Sequence, residues 1–139
     1  MSYLQILDVS LSALEFHRLR ADLMAENIAH YRVASGGDAA HRSRDAVARS
    51  GNDFRSFLHS ETAFRGIDHV DIVERGAGPL PIHDPDGASA RTDGFAEAPA
   101  MDIAWMMTNF LDASRAYEAN VKATNLSRQM LMSALKIGN

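Results

Sequence analysis

Cysteine is absent from this chain, and neither sign of charge is in large excess. Without cysteine, the 139 residues can form no disulfide, no thiolate metal site and no cysteine nucleophile. The formal net charge of −4 argues against nucleic acid as the main ligand. No apolar run approaches the roughly 20 residues that cross a bilayer. The first ten residues, MSYLQILDVS, lack the basic start and apolar run of a Sec signal peptide. We therefore expect a soluble protein that remains in the cytoplasm unless a route other than Sec exports it.

The longest regular stretch runs from Met101 to Lys136 and contains neither proline nor glycine. Its apolar or small residues recur at alternating steps of three and four, which predicts a helix with one apolar face. Pro99 before it and Gly138 after it are typical helix breakers. Such a helix would be roughly 54 Å long, whereas a compact domain of this size has a diameter of about 37 Å. The helix must therefore bend, or project and contact partners.

A second helical stretch is predicted near the N-terminus, from about Ser2 to Ala34. Its apolar positions also alternate by three and four, as in a coiled coil or a helical bundle. It ends before Ser35-Gly36-Gly37, which is a clear helix breaker.

The middle of the chain predicts a small β-rich segment. We expect residues 36–52 to form a loop, residues 53–63 a first strand, and residues 67–74 a better strand because apolar and polar side chains largely alternate there. Pro79, Pro81 and Pro85 exclude a central strand between residues 76 and 85. Asp86-Gly87 and Asp93-Gly94 indicate turns, and residues 95–98 a short last strand.

These elements predict a mainly α fold, in which long N- and C-terminal helices form a coiled-coil-like pair around the β-rich insert. The expected boundaries are residues 1–35, 36–100 and 101–139. The insert is too small to cover both apolar helix faces, so the faces must cover each other or meet neighbouring subunits.

Three groups of residues make the chain resemble the bacterial flagellar basal-body rod proteins, and the proximal rod subunits in particular. The first helix contains Ser12-Ala13-Leu14, Arg18-Leu19 and Glu26-Asn27-Ile28-Ala29, similar to the family's SAL…RL…SNLAN pattern. Asp93-Gly94-Phe95, Pro99 and Asp102 are similar to its turn before the last helix. Ala113 to Val121, ASRAYEANV, is similar to its A.R.Y.ANV signature. Glu26 and His30 depart from the pattern, which usually has serine and asparagine at these positions.

The resemblance implies a structural subunit of a hollow helical assembly, the proximal rod, which transmits torque as a drive shaft. Implied partners are copies of the chain, other rod proteins, the adaptor that joins the rod to the membrane ring, the rod-cap assembly factor and the flagellar type III export apparatus. The implied location is the periplasmic rod of the basal body, reached without a cleaved signal peptide. No nucleic acid or small-molecule substrate is implied.

The candidate site residues are therefore those of an assembly interface. On the first helix they are Leu7, Leu11, Leu14, Ala21, Ala25 and Ile28. On the last helix they are Met106, Phe110, Ala113, Tyr117, Asn120, Val121 and Leu131. The family-motif residues are Asn27, Asp93, Gly94, Pro99, Asp102 and Arg115. Arg115 and Glu118 either pair on a solvated face or bridge subunits.

No pattern predicts catalysis, a metal or a cofactor. The six histidines include no pair at the i, i+4 spacing of a helical zinc site, and no HExxH motif, so we expect them to be solvated or hydrogen-bonded. No nucleophile motif is present. The main alternative to a rod subunit is a cytoplasmic helical adaptor, such as a dimeric secretion chaperone; an enzyme is a distant third.

Overall fold

Two long helices dominate the computed structural model, which describes residues 3–31, 33, 41–50, 66–75 and 78–137. Helix α1 spans Tyr3–His30 and helix α2 spans Ile103–Ile137. Neither contains glycine or proline, so both run unbroken for roughly 42 and 52 Å. They pack against each other, which confirms the predicted helix pair around a β-rich insert. Within the described ranges, neither helix is long and apolar enough to span a membrane.

The two helices run antiparallel. Arg20 in the second half of α1 donates a hydrogen bond to Asn109 in the first half of α2 (Nη2 to Oδ1, 2.6 Å), and His17 shares a cleft with Ser114 and Tyr117. Helix α2 is the longer of the two. At this register roughly its last ten residues extend past Tyr3, the first described residue of α1.

Strand β1 (Ser43–Ser50) pairs antiparallel with strand β2 (Ile67–Arg75), from Ser43 opposite Arg75 to Ala48 opposite Val70. β2 confirms the predicted strand. The prediction of a loop over residues 36–52 was wrong where β1 lies. The two buried polar residues of β1 have partners in other elements, Ser43 a hydrogen bond to Arg75 O and Asp45 an ion pair with Arg75, so the strand lacks the apolar alternation that marks strands in sequence. The strand predicted over residues 53–63 lies outside the described residues.

Strands β3 (Leu80–His83) and β4 (Phe95–Ala98) form a second antiparallel pair. Pro81 is accommodated because, among the residues that the structure describes, the sheet has two strands and each is an edge. The predicted turn at Asp93-Gly94 precedes β4. Gly94 adopts a positive φ of 78°, which glycine reaches without steric cost, and Asp93 Oδ1 accepts a hydrogen bond from Phe95 N.

The core lies at one end of the helix pair. Its fully enclosed side chains are Met24 and Asn27 from α1 and Met106 from α2, with Leu23, Ala46 and Ala113 beside them. β2 reaches α1 farther toward the helix N-terminus, where Ser12 Oγ accepts a hydrogen bond from Ile67 N (3.0 Å). A side chain at Gly66 would collide with this hydroxyl, so the close approach of β2 to α1 requires glycine there.

Candidate assembly surfaces and anchoring sites

The buried carboxylate of Asp45 forms ion pairs that connect β1 to β2 and to α1. Asp45 of β1 is 3% exposed. Its Oδ2 lies 3.0 Å from Arg75 Nε of β2, and its Oδ1 lies 3.5 Å from Arg20 Nε of α1, an ion pair too long for a hydrogen bond. Because Arg20 also donates a hydrogen bond to the side-chain amide of Asn109, the polar network extends to α2. A buried charge needs such partners, so Asp45 fixes where β1 sits on the helix pair.

Asn27, a predicted family-motif residue, joins α1 to β1. Its Nδ2 donates to Arg44 O (2.7 Å), and its Oδ1 accepts from Arg44 N (3.0 Å). The side chain is 1% exposed. A side-chain amide therefore pairs with both polar backbone groups of one strand residue, as a neighbouring strand would. Only asparagine or glutamine offers this donor and acceptor together, which gives the motif residue a physical reason.

The other motif residues shape the entry to α2. Asp102 is the N-cap, because its Oδ1 accepts hydrogen bonds from the backbone N–H groups of Ala104 (2.9 Å) and Trp105 (3.2 Å). Pro99 is buried just before it. Arg115 is exposed and forms no ion pair with Glu118 in the described structure, so the pairing expected as one alternative is not formed within the chain.

On α2, the predicted interface residues from Met106 to Val121 lie on the side of the helix that the chain itself partly covers. Met106 and Ala113 are buried. Phe110, Asn120, Val121 and Leu131 are half-buried, and Tyr117 is 39% exposed. Thr124 and Ser127 are also half-buried, so the three-four spacing of half-buried positions on α2 includes polar residues.

On α1, the predicted residues lie beside the most buried face rather than on it. Leu7, Leu14, Ala21 and Ile28 are half-buried, whereas Leu11 and Ala25 are exposed. The fully buried positions are Leu23, Met24 and Asn27. Leu23 and Met24 are apolar and widen the apolar face of α1, so the sequence contained a signal for their burial. The three-four spacing of the predicted interface residues alone does not select them.

The last third of α2 carries a large apolar surface that the chain itself leaves uncovered. Five side chains there are each more than half exposed, and Ile137 reaches 88%; together they define the distal apolar surface: Leu126, Met130, Met132, Leu135 and Ile137. Along α2, which the structure describes throughout, no side chain beyond Ala113 is buried. Exposed apolar area of this extent marks an interaction surface in proteins.

A shallow cleft of about 350 Å³ lies between the helices beside Tyr117, lined also by His17, Ala21 and Ser114. Burial, with a smaller contribution from the Arg20 guanidinium, lowers the pKa of His17 below its ordinary value. Its Nδ1 is buried without a hydrogen-bond partner among the described residues. The cleft is open, and within the described part of the chain no hydrogen bond joins its Ser114 hydroxyl to the His17 ring.

Sequence reasoning missed one cluster, at the C-terminal end of α1. Glu26, His30 and His41 each place a metal-binding atom within 4.8 Å of the others. The rings of His30 and His41 stack with centroids 4.4 Å apart. Burial, together with the neighbouring His30, lowers the pKa of His41. A search for histidine pairs could not find the cluster, because its helical i, i+4 pair is a glutamate and a histidine.

Comparison with known proteins gives a consistent result. Residues 92–137 match the family model described as flagellar basal body rod FlgEFG protein C-terminal. The chain is 31% identical over 149 residues to the flagellar basal-body rod protein FlgC of Bacillus subtilis, with 99% of each chain covered. It is 28% identical over 139 residues to FlgC of Escherichia coli O6:H1, again with 99% of each covered. FlgC of Aquifex aeolicus is 26% identical over 94% of this chain and 92% of its own length.

Proposed function

Because this chain belongs to the family of flagellar basal-body rod proteins, we propose that it is a structural subunit of the rod, in its proximal part. It acts mechanically. Its helices pack against those of neighbouring subunits to form a hollow shaft that carries torque, and no substrate is turned over.

The observation that carries this proposal is the distal apolar surface. A protein that functions as a monomer rarely leaves so many large apolar side chains exposed on one projecting helix. A helical shaft is built by contacts between different surfaces of successive subunits, which repeat without closing. The projecting end of α2 provides one such surface, and the exposed Leu11 of α1 provides a candidate for part of another.

The family supports assembly with other rod components in the flagellar basal body. The chain assembles in the flagellar basal body with copies of itself and with other rod proteins. The proposed further contacts are the adaptor to the membrane ring, the rod-cap assembly factor and the type III export apparatus, which delivers the chain to the periplasmic rod without a cleaved signal peptide. The relatives are named as rod proteins, which supports a structural rather than a catalytic role.

Family membership favours the rod subunit over the alternative of a cytoplasmic secretion chaperone. A chaperone of this kind would bury its helix faces in a stable closed dimer. At the register set by Arg20 and Asn109, the distal apolar surface of α2 instead extends past the first described residue of α1.

A charge placed on the distal apolar surface tests the proposal. In the isolated chain, Leu135→Asp should change the free energy of unfolding by less than about 0.5 kcal/mol, because the residue is exposed. In an assembled rod the same carboxylate would be buried without a partner, which is far more costly. We therefore expect loss of swimming and of incorporation into isolated basal bodies when the variant replaces the wild-type chain.

Ser133→Asp is the matched control. It adds the same charge at an exposed position on the same turns of α2 but removes no apolar area. We expect it to swim better than Leu135→Asp at equal expression. Normal swimming by Leu135→Asp, with wild-type amounts of the chain in basal bodies, would refute the proposed role of this surface.

A further inference from the structure

We propose that Glu26, His30 and His41 form a binding site for a divalent transition-metal ion, with Zn²⁺ as the preferred ion. The site would connect the C-terminal end of α1 to the residues that enter β1. It is independent of the proposed role as a rod subunit, because it depends only on the local geometry of these side chains.

The three side chains converge from two elements. Glu26 and His30 are four residues apart on α1 and therefore lie on one helix face. His41 comes from the residues just before β1, and its ring stacks on that of His30. Their metal-binding atoms all lie within 4.8 Å of one another. Tetrahedral zinc with bonds of about 2.0–2.1 Å holds its ligand atoms roughly 3.4 Å apart. The stacked rings direct their in-plane lone pairs side by side, so the His30 imidazole must turn out of the stack, and side-chain rotations must close up to about 1.5 Å, to complete the site. All three residues are half-buried.

Asn27 orients one of the ligands. Because Arg44 N donates to Asn27 Oδ1 and Arg44 O accepts from Nδ2, the orientation of the amide is fixed. The 3.2 Å contact from His41 Nε2 to Asn27 Oδ1 must then have the imidazole N–H as its donor. In the neutral ring this leaves the lone pair on Nδ1. Metal-binding histidines generally donate their other N–H to an oxygen acceptor in this way, which fixes the tautomer and the ring orientation.

Arg44 positions the carboxylate without occupying it completely. Its guanidinium pairs with Oε1 of Glu26, so the second oxygen remains as a ligand. The pair has no net charge. With two neutral imidazoles, the site presents little attraction to hard cations that prefer oxygen ligands, such as Ca²⁺ and Mg²⁺. Two imidazole nitrogens and one carboxylate oxygen suit Zn²⁺, with water as a fourth ligand.

Bound metal would stabilise the fold. Glu26 and His30 belong to the helix, whereas His41 is separated from them along the chain. An ion that binds all three favours the folded state over the unfolded state and raises the unfolding temperature. The same end of α1 already holds β1 through Asn27, so the ion would reinforce an existing junction.

The test uses the full, untagged chain, stripped of metal with a chelator, and Zn²⁺ alone as the probe. Isothermal titration calorimetry should show one ion per chain. His30→Ala and His41→Ala should each weaken the affinity at least about tenfold. The controls His69→Ala and His83→Ala remove exposed histidines outside the cluster and should leave the affinity unchanged. Zn²⁺ should raise the unfolding temperature of the wild type and of both controls, but not of the two cluster variants.

Glu26→Gln is a further test variant, which removes a metal ligand without removing an imidazole ring. It keeps the size of the side chain but removes the anionic ligand, so it should also weaken Zn²⁺ binding while the circular dichroism spectrum stays that of the wild type. The proposal is overturned if the wild type binds no Zn²⁺ near one equivalent, if the control variants weaken binding as much as the cluster variants do, or if Glu26→Gln and His30→Ala both bind as tightly as the wild type.

Discussion

The two ends of α2 are built from similar residues but are covered in different ways. At its start, Met106 is 1% exposed and lies beside Ser43 and Arg75 of the insert and the capping residue Asp102. Toward its end, Met130 is 58% exposed, because no part of the described chain covers it. One end is stabilised by contacts within the chain, and the other carries the same apolar chemistry exposed, as the proposed contacts between subunits require. Under the proposed function, the fold would separate the residues that stabilise a subunit from those that join subunits.

The largest expected effect comes from comparing these two methionines directly. Met106→Ala should lower the free energy of unfolding of the isolated chain by about 3 kcal/mol, since it removes buried apolar atoms and leaves a cavity. Met130→Ala should change it by less than about 0.5 kcal/mol. Urea denaturation followed by circular dichroism measures both. Equal losses would mean that the two ends of α2 are covered alike in solution, contrary to the comparison.

Asn27→Asp should have the next largest effect, about 2 kcal/mol of stability. The change keeps the shape of a side chain that is 1% exposed, but it replaces the N–H₂ donor that faces Arg44 O by a carboxylate oxygen. Two acceptors then meet in a buried site. Asn125→Asp is the matched control, because Asn125 lies exposed on α2. The measurement is made with chelator present, and a loss no larger than that of the control would argue against the anchoring role.

A smaller effect is expected at the start of α2. Asp102→Ala removes the side-chain acceptor of two backbone N–H groups and should cost about 1 kcal/mol. Asp112→Ala, at an exposed position within the same helix, should cost less than half of that. If Asp102→Ala were as stable as wild type, the cap would contribute nothing to the fold, and the motif residue would need another explanation.

The parts of this fold that could be predicted are those in which local sequence and environment agree. Both helices lack glycine and proline and repeat apolar residues at helical spacing, so their existence followed from the pattern. β1 did not, because Ser43 and Asp45 are buried and contact Arg75 and Arg20, residues distant in the sequence. A strand with a polar buried face has no apolar alternation to detect.

The packing of α2 on the rest of the chain was partly predictable, because its three-four spacing selected Met106 and Ala113, which are buried. That these residues form an assembly interface stays a prediction. On α1 the three-four spacing did not select Leu23 and Met24. The reason is that α1 packs on both α2 and the insert, whereas a single apolar repeat predicts one packing face. The His30–His41 contact depends on where the chain returns after α1, which no local pattern encodes.

The smallest expected effect concerns pH and the cleft beside Tyr117. Burial first, and the Arg20 guanidinium second, lower the pKa of His17 in the folded chain below the value of about 6.5 expected for the unfolded chain. As the pH falls through this value, the unfolded state takes up a proton more readily, so the contribution of His17 to stability is retained above it and lost below it. His17→Phe keeps a ring but cannot titrate. The difference in unfolding free energy between wild type and His17→Phe should therefore shift against the wild type between about pH 7.5 and about pH 5. A difference that is constant over this range would show that the imidazole is equally solvated in both states, and that the cleft does not exclude water from it.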